Sequence, residues 1–215
     1  MSNFDFSYDI LPLGTYETVP VTSQLEPLPE NYPNVVCLNI PTDVSLLMAD
    51  WNNFPKNDEP NYFVNRAKHF KNSIKDTVKL FEHLGFSLDN YEVYPLRVKG
   101  TNTLKPTVGT YTQELLDNFG VSLFRQQYVK AKKDWITKPH IDHPDFSIHG
   151  FRVFIPIDTA YIEFDDGTYE LMPGNCYFVN IAKTHRGFSK TSRVVIMCQM
   201  ASDALINNGT KLNPT

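Results

Sequence analysis

Beyond Gly120 the apolar residues of this chain recur at the two-residue period of β-strands rather than at a helical period. Residues 121–129 alternate between two faces, and Asp165-Asp166-Gly167 is a hairpin-turn signal between two later apolar runs. Those runs cover residues 151–157, 161–164, 169–172, 176–181 and 193–200. Six or seven short strands at such close spacing predict an antiparallel β-sandwich or barrel of jelly-roll type.

The first 120 residues carry helical signals instead. Apolar residues at three- and four-residue steps predict a long helix over residues 62–84, with Gly85 as its C-cap. Shorter helices are predicted after Asp43 and from Thr110, where T-Y-T-Q fits a capping box. Residues 35–38 form a candidate strand. We therefore expect a mainly β fold with supporting helices, built on a double-stranded β-helix (jelly-roll, cupin-like) core.

Length and composition favour a single domain. A chain of 215 residues with 41% hydrophobic residues is long enough to bury a sizeable core but short for two domains. No repeat, low-complexity tract or linker divides it. The predicted parts are a helical support region (1–120), the jelly-roll core (121–201) and a tail (202–215).

The net charge and the cysteine content limit which partners and which cellular compartment are expected. A net charge of −4 provides no basic excess for phosphates, so nucleic acid is not expected as a main partner. Three widely spaced cysteines fit neither a disulfide framework nor a zinc cluster, which indicates a reducing compartment. The sequence begins without a signal-peptide pattern and has no long apolar span. We expect a cytoplasmic protein that does not enter a membrane.

A candidate metal site lies within the strand-rich half. His140 and Asp142 are two residues apart, so on a strand their side chains would converge on one face. His185 follows 43 residues after Asp142, with room for several strands that return it to the first pair. Two imidazoles and one carboxylate form the facial triad that holds Fe(II) and leaves open positions. Arg193, eight residues after His185, is placed to receive a carboxylate cosubstrate.

These motifs resemble the iron(II)/2-oxoglutarate-dependent oxygenases, most closely their aspartyl/asparaginyl β-hydroxylase-like branch, which includes free-proline hydroxylases. The matching segments are H-I-D, R-V-F-I-P-I, L-M-P-G-N-C-Y-F, T-H-R-G and S-R-V-V-I, within residues 123–198. The branch often has R-x-H on the second of these strands, whereas Phe154 stands at the histidine position here. This difference affects one polar contact to cosubstrate or substrate, not the metal ligands.

The resemblance implies a hydroxylase of an amino acid, free or within a polypeptide. His140, Asp142 and His185 would bind Fe(II), and Arg193 would pair with the far carboxylate of 2-oxoglutarate, with Tyr128 as a further donor. O₂ would be the oxidant. By the same resemblance Arg152 would lie inside the barrel near the substrate, which would then carry a carboxylate.

Several alternatives stay open at this point. Tyr128 is also consistent with a packed barrel tyrosine, Arg152 with a structural ion pair, and Arg186 competes with Arg193 for the cosubstrate. Trp135 is interpreted as a core residue. Two other functions compete: a cupin-type metalloenzyme that does not use 2-oxoglutarate, and a non-catalytic jelly-roll module for binding or assembly.

Overall fold

The computed structural model describes residues 33–38, 40–56, 83–86, 89–98, 103–117, 119, 123–141 and 150–201. Of the long helix predicted over residues 62–84, only His83 and Leu84 fall within these ranges, and both are helical. The elements are β1 (Val35–Cys37), α1 (Val44–Asn53), β2 (Tyr91–Pro95), α2 (Thr110–Asp117), β3 (Leu123–Ala131), β4 (Gly150–Pro156), β5 (Ala160–Phe164), β6 (Gly167–Leu171), β7 (Tyr177–Val179), β8 (Arg186–Phe188) and β9 (Arg193–Ala201).

The strands form two antiparallel sheets. The larger has the order β1-β7-β4-β9-β3-β2, and the smaller has the order β6-β5-β8. Isolated bridges from Ile136 to Phe188 and from His140 to His185 add the segment after β3 to the free edge of β8. From β3 onwards the chain passes repeatedly between the two sheets. This is the topology of a double-stranded β-helix, so the predicted fold class is confirmed.

The larger sheet is buried on both faces. Along β9, Val194, Ile196 and Cys198 belong to a core shared with the helices, whereas Val195 and Met197 belong to the core inside the barrel. The same alternation holds on β4, where Val153 and Ile155 lie on the helix side. Because successive side chains of a strand point to opposite faces, Arg193 shares the barrel side with Val195. Every inward residue of β9 can therefore contribute to a site in the barrel.

Helix α1 begins after Asp43, as the sequence predicts. The Asp43 side chain accepts hydrogen bonds from the backbone N–H of Ser45 and Leu46, which are otherwise unpaired at a helix start. The pKa of the Asp43 carboxyl is lowered, first by its hydrogen bond with the Ser45 side chain and then by the bond from the Leu46 backbone.

Helix α2 also begins at its predicted residue, Thr110, but its cap differs from the predicted capping box. Asp50 of α1 accepts a hydrogen bond of 2.7 Å from the Thr112 backbone N–H, and the Gln113 side chain donates to the Val108 carbonyl instead. A Cβ at Gly109 would collide with the Asp50 carboxylate, so this close approach of α1 to α2 requires glycine.

Two further features concern the connections and the surface. The Asp165-Asp166-Gly167 turn joins β5 to β6 as predicted, and Gly167 has a φ of +142° that few other residues adopt. Within the part of the chain that the structure describes, no helix has the length and apolar character needed to cross a membrane.

Candidate metal and carboxylate site

His140 and His185, two of the three predicted metal ligands, lie side by side. Each backbone N–H donates to the carbonyl oxygen of the other residue at 2.9 Å. Their ring centroids are 4.7 Å apart. The fold therefore brings together, at the edge of the smaller sheet, two residues that the sequence pattern predicts to be neighbours.

Both imidazoles are held in the orientation that suits a metal ligand. His140 Nδ1 lies 2.7 Å from the Lys138 carbonyl oxygen, and His185 Nδ1 lies 2.9 Å from the Lys183 carbonyl oxygen. A carbonyl can only accept, so Nδ1 is the protonated nitrogen of each neutral ring, and the lone pair is on Nε2. Metal-bound histidines almost always donate their other ring N–H to an acceptor in this way, because that hydrogen bond fixes both the tautomer and the orientation of the ring.

The third predicted ligand, Asp142, lies outside the described residues. Among those that are described, no three His, Cys, Asp or Glu side chains form a group able to hold a metal ion. The donor chemistry of the two oriented imidazoles nevertheless fits a divalent transition metal completed by one carboxylate. Asp142 therefore stays a prediction as the third ligand.

A two-stranded ladder connects the histidine pair to Trp135 and Ser189. Thr137 N–H donates to the Gly187 carbonyl at 2.9 Å, and Ser189 N–H donates to the Trp135 carbonyl at 2.8 Å. At about 3.3 Å per residue, the four steps from His185 to Ser189 cover roughly 13 Å. Trp135 and Ser189 thus lie at one end of the ladder, and the two imidazoles lie at the other.

Aromatic rings fill the space between these ends. The Phe86 ring is 5.9 Å from the His140 ring and 5.8 Å from the Trp135 ring, measured between centroids. Phe164 covers His185 at 5.8 Å. The aromatic rings of Phe86 and Trp135 therefore connect the two ends of the ladder.

Arg193 is buried at the Trp135 end of the ladder. Its side chain is only 3% exposed, its Nε donates to Ser189 Oγ at 2.8 Å, and its Cζ lies 5.1 Å from the centre of the Trp135 ring. Arg193 forms no ion pair within 4 Å with a carboxylate of the described residues. Arg193 is therefore buried on the barrel side of β9, and its role in binding a cosubstrate stays a prediction.

The guanidinium of Arg193 is incompletely paired. Among the described residues, buried Nη1 has no hydrogen-bond partner. Burial lowers the pKa of Arg193 to about 10, with Tyr91 and Asp158 acting in the opposite direction. The group is therefore still a cation at neutral pH. A buried cation with an unpaired donor is costly, which makes this atom a natural position for an anionic ligand.

Arg152 also lies on the barrel side, as predicted. It alternates with Val153 of the helix-side core, and its Nη1 is 3.8 Å from the sulfur of Met197. Phe154, which stands where the resembling family has histidine, packs into the barrel core and is 8% exposed. The barrel wall beside Arg152 is thus apolar at the position of the missing imidazole.

Tyr128 lies on the opposite face of the sheet from Arg193 and Arg152. Its hydroxyl is 3.0 Å from Thr112 Oγ1 of α2, and its ring packs edge-on against Trp51 of α1. Burial raises the pKa of Tyr128 to about 12. The predicted hydrogen bond from Tyr128 to a cosubstrate inside the barrel is incompatible with this position. The alternative of a packed tyrosine is the correct one.

Arg186 is directed away from the histidine pair, as expected for a residue adjacent to His185 on an extended chain. Its Nη2 lies 2.7 Å from Glu163 Oε2, in an ion pair whose side chains are each about one-third exposed. This pairing removes Arg186 as a rival to Arg193 for a buried anion.

Two polar roles in this region are not apparent from the sequence. Trp135 is a core residue as predicted, yet its buried Nε1 has no hydrogen-bond partner in the described part of the chain. Ser189 orients Arg193 through the hydrogen bond described above. Ser189 is four residues before Arg193, and the turn between β8 and β9 brings the two side chains together.

Comparisons with known proteins give matches to solved structures alone. No protein-family model and no curated protein matches the chain. Similar structures include a cupin-2 domain protein from Shewanella frigidimarina (21% identity, 35% of this chain and 69% of that one, TM-score 0.28). Others are a predicted oxalate decarboxylase from Thermotoga maritima (9%, 52% and 80%, TM-score 0.32) and a nickel complex of the non-heme monooxygenase ThoJ (11%, 43% and 54%, TM-score 0.34). At these identities and TM-scores the similarities carry no conclusion about activity.

Proposed function

We propose that this protein is an Fe(II)- and 2-oxoglutarate-dependent hydroxylase that acts on an amino acid, either free or within a polypeptide. The observation that carries the proposal is the buried Arg193, whose Nη1 has no partner among the described residues. Arg193 lies beside one end of the ladder, and two imidazoles in a metal-binding orientation lie at the other end. A metal site and a buried cation at the two ends of one ladder suit a cosubstrate that has a carboxylate at each end.

His140 and His185 would hold Fe(II) through Nε2, together with Asp142 as the carboxylate ligand. The Lys138 and Lys183 carbonyls keep the two rings oriented, so little reorganisation accompanies binding. Bound Fe(II) would supply the chemistry that couples decarboxylation of 2-oxoglutarate to hydroxylation of an unactivated C–H bond by O₂.

Arg193 would bind the distal carboxylate of 2-oxoglutarate. A charge-assisted hydrogen bond from Nη1 would pair the buried cation and fix the cosubstrate relative to the metal ligands. Ser189 holds the guanidinium through Nε, so its orientation is set before the ligand arrives. The aromatic wall of Phe86 and Trp135 would exclude water from the carbon chain of the ligand.

Arg152 would contact the substrate. Like Arg193, it lies on the barrel side of the larger sheet, and an apolar wall with Phe154 lies beside it. A guanidinium in this position favours a substrate with a carboxylate close to the oxidised carbon, as in a free amino acid or an acidic side chain.

A cupin-type metalloenzyme that does not use 2-oxoglutarate is the second candidate. It would employ the same histidine pair but would leave Arg193 Nη1 without a ligand partner, and for that reason we rank it lower. A non-catalytic jelly-roll module would need neither the oriented imidazoles nor the buried cation.

Succinate formation tests the proposal. The protein would be loaded anaerobically with Fe(II) and 2-oxoglutarate, exposed to O₂, and screened against amino acids and peptides for stimulated succinate release. We expect release that requires Fe(II), is lost in His185→Ala and persists in Arg186→Met. Metal binding without any 2-oxoglutarate consumption would favour the cupin-type alternative.

A further inference from the structure

We infer that the indole N–H of Trp135 is the second donor of the carboxylate pocket formed by Arg193, so that one carboxylate group binds both Trp135 Nε1 and Arg193 Nη1. The inference rests on the proposed function for the identity of the ligand, 2-oxoglutarate. It assigns to Trp135 a binding role in addition to its packing role.

The first observation is that both donors are buried and lack partners among the described residues. Trp135 is 4% exposed and Arg193 is 3% exposed. Trp135 Nε1 and Arg193 Nη1 are two of only five such buried side-chain atoms in the described ranges. A buried indole N–H usually finds an acceptor, so two unpaired donors on neighbouring residues indicate a shared missing acceptor.

The second observation is the distance between the two side chains. Arg193 Cζ lies 5.1 Å from the centre of the Trp135 ring. The indole nitrogen belongs to that ring system, and Nη1 is bonded directly to Cζ. This proximity allows both donors to reach one small anionic group. A carboxylate has two oxygens, one for each donor, and its single negative charge balances the single buried positive charge.

The third observation is that both side chains are fixed in place. Trp135 stacks on Tyr91 with centroids 4.9 Å apart, its ring also contacts Phe86, and it lies so close to Gly187 that a Cβ there would be 3.1 Å from it. Arg193 is held by Ser189 Oγ at 2.8 Å. Neither side chain needs to be ordered when the ligand binds, so less entropy is lost on binding. Tyr91, Phe86 and Ser189 act here as positioning residues.

Nuclear magnetic resonance can observe the proposed hydrogen bond directly, because the chain has only two tryptophans. A ¹H–¹⁵N spectrum of the metal-free protein would show two indole signals, assigned with Trp51→Phe and Trp135→Phe. Trp51 is a matched reference because it is buried between the helices and the other face of the sheet. We expect 2-oxoglutarate, and equally glutarate, to move the Trp135 indole proton downfield and leave the Trp51 signal in place.

Affinity provides the second measurement. Trp135→Phe keeps an aromatic ring against Tyr91 but removes the N–H, so we expect the dissociation constant of glutarate to rise roughly tenfold or more. Trp51→Phe should leave that constant unchanged. Should Trp135→Phe fail to fold, the indole shift in the unaltered protein still decides the question.

The outcomes separate this inference from the proposed function. If 2-oxoglutarate binds in an Arg193-dependent way while the Trp135 indole signal stays in place, the Trp135 role is overturned and the proposed function stands. If glutarate binds and shifts the Trp135 signal but no 2-oxoglutarate is consumed with Fe(II) and O₂, the pocket stands and the proposed function fails. If neither dicarboxylate binds, both are overturned.

Discussion

His140 and His185 exchange backbone hydrogen bonds of 2.9 Å in both directions, and their imidazole centroids are 4.7 Å apart. The two residues are distant in sequence, and the double-stranded β-helix brings them together at the edge of its smaller sheet. The same ladder extends to Trp135 and Ser189 beside the buried Arg193. The two predicted metal ligands and the residues that contact the buried cation therefore belong to one structural unit.

Removing a ligand imidazole should abolish tight Fe(II) binding. We expect His185→Ala to lower the affinity for Fe(II) by at least about 100-fold. Replacing a residue that only hydrogen-bonds a metal ligand already lowers metal affinity by about 10–100-fold. Anaerobic titration with Fe(II) measures this effect. His83→Ala is the matched control, because His83 is exposed and helical.

Asp142→Ala should likewise abolish Fe(II)-dependent turnover, while circular dichroism shows an unchanged fold. Full metal affinity and full activity in Asp142→Ala would disprove the predicted set of three ligands.

Arg193→Met should raise the requirement for 2-oxoglutarate. Loss of a buried charge-assisted pair costs about 2–5 kcal/mol, or roughly 30-fold and more in affinity. The KM for 2-oxoglutarate in succinate release measures this loss. Arg186→Met is the matched control, because it also removes one guanidinium, but from the ion pair with Glu163. It should change the KM for 2-oxoglutarate little, because that pair is partly exposed. A larger effect of Arg186→Met than of Arg193→Met would contradict the assignment.

Tyr128→Phe should affect stability and not the cosubstrate. The hydroxyl of Tyr128 bonds Thr112 on the helix side of the sheet, so its removal should cost about 1 kcal/mol at neutral pH. The affinity for 2-oxoglutarate should be unchanged. A clear rise in the dissociation constant of 2-oxoglutarate would show instead that Tyr128 contributes to the ligand site.

The same variant has a predicted pH dependence. Burial raises the pKa of Tyr128 from 10.0 to about 12 in the folded protein. The unfolded chain therefore loses this proton first, and the associated stability is present below pH 10 and is lost as the pH rises towards 12. Urea unfolding should show the stability difference between the unaltered protein and Tyr128→Phe shrinking above pH 10.

Arg152→Met should separate substrate binding from cosubstrate binding. The substitution preserves most of the side-chain volume beside Met197 but removes the charge. We expect it to reduce substrate-stimulated succinate release while Fe(II) and 2-oxoglutarate still bind normally. A lower melting temperature combined with unchanged substrate affinity would assign Arg152 to a structural ion pair instead.

The sequence predicts most strands and the histidine pair, because both depend on alternation and spacing. Strand β8, Arg186–Phe188, escapes prediction because three residues without an apolar run have no periodic signal. The position of Tyr128 escapes for a different reason. The larger sheet is buried on both faces, so β3 has no polar side that would show which face lines the barrel.

The polar details of the site are harder still to predict from sequence. The sequence is consistent with Trp135 in any apolar core. Only the structure shows that its N–H is buried without a described acceptor and that its ring lies beside Arg193. The cap of α2 is similar, since Asp50 comes from another helix and its role depends on packing at Gly109.

The central claim is that the histidine pair and Arg193 form a single ligand site, and anaerobic calorimetry with and without Fe(II) tests it most directly. 2-Oxoglutarate has both a keto-acid end and a distal carboxylate, whereas glutarate lacks the keto group. If the site is single, Fe(II) should increase the affinity for 2-oxoglutarate by about tenfold or more, corresponding to at least about 1.4 kcal/mol. It should change the affinity for glutarate little. Equal affinity for 2-oxoglutarate with and without bound Fe(II) would show that the metal ligands and Arg193 serve separate sites, and would contradict the account.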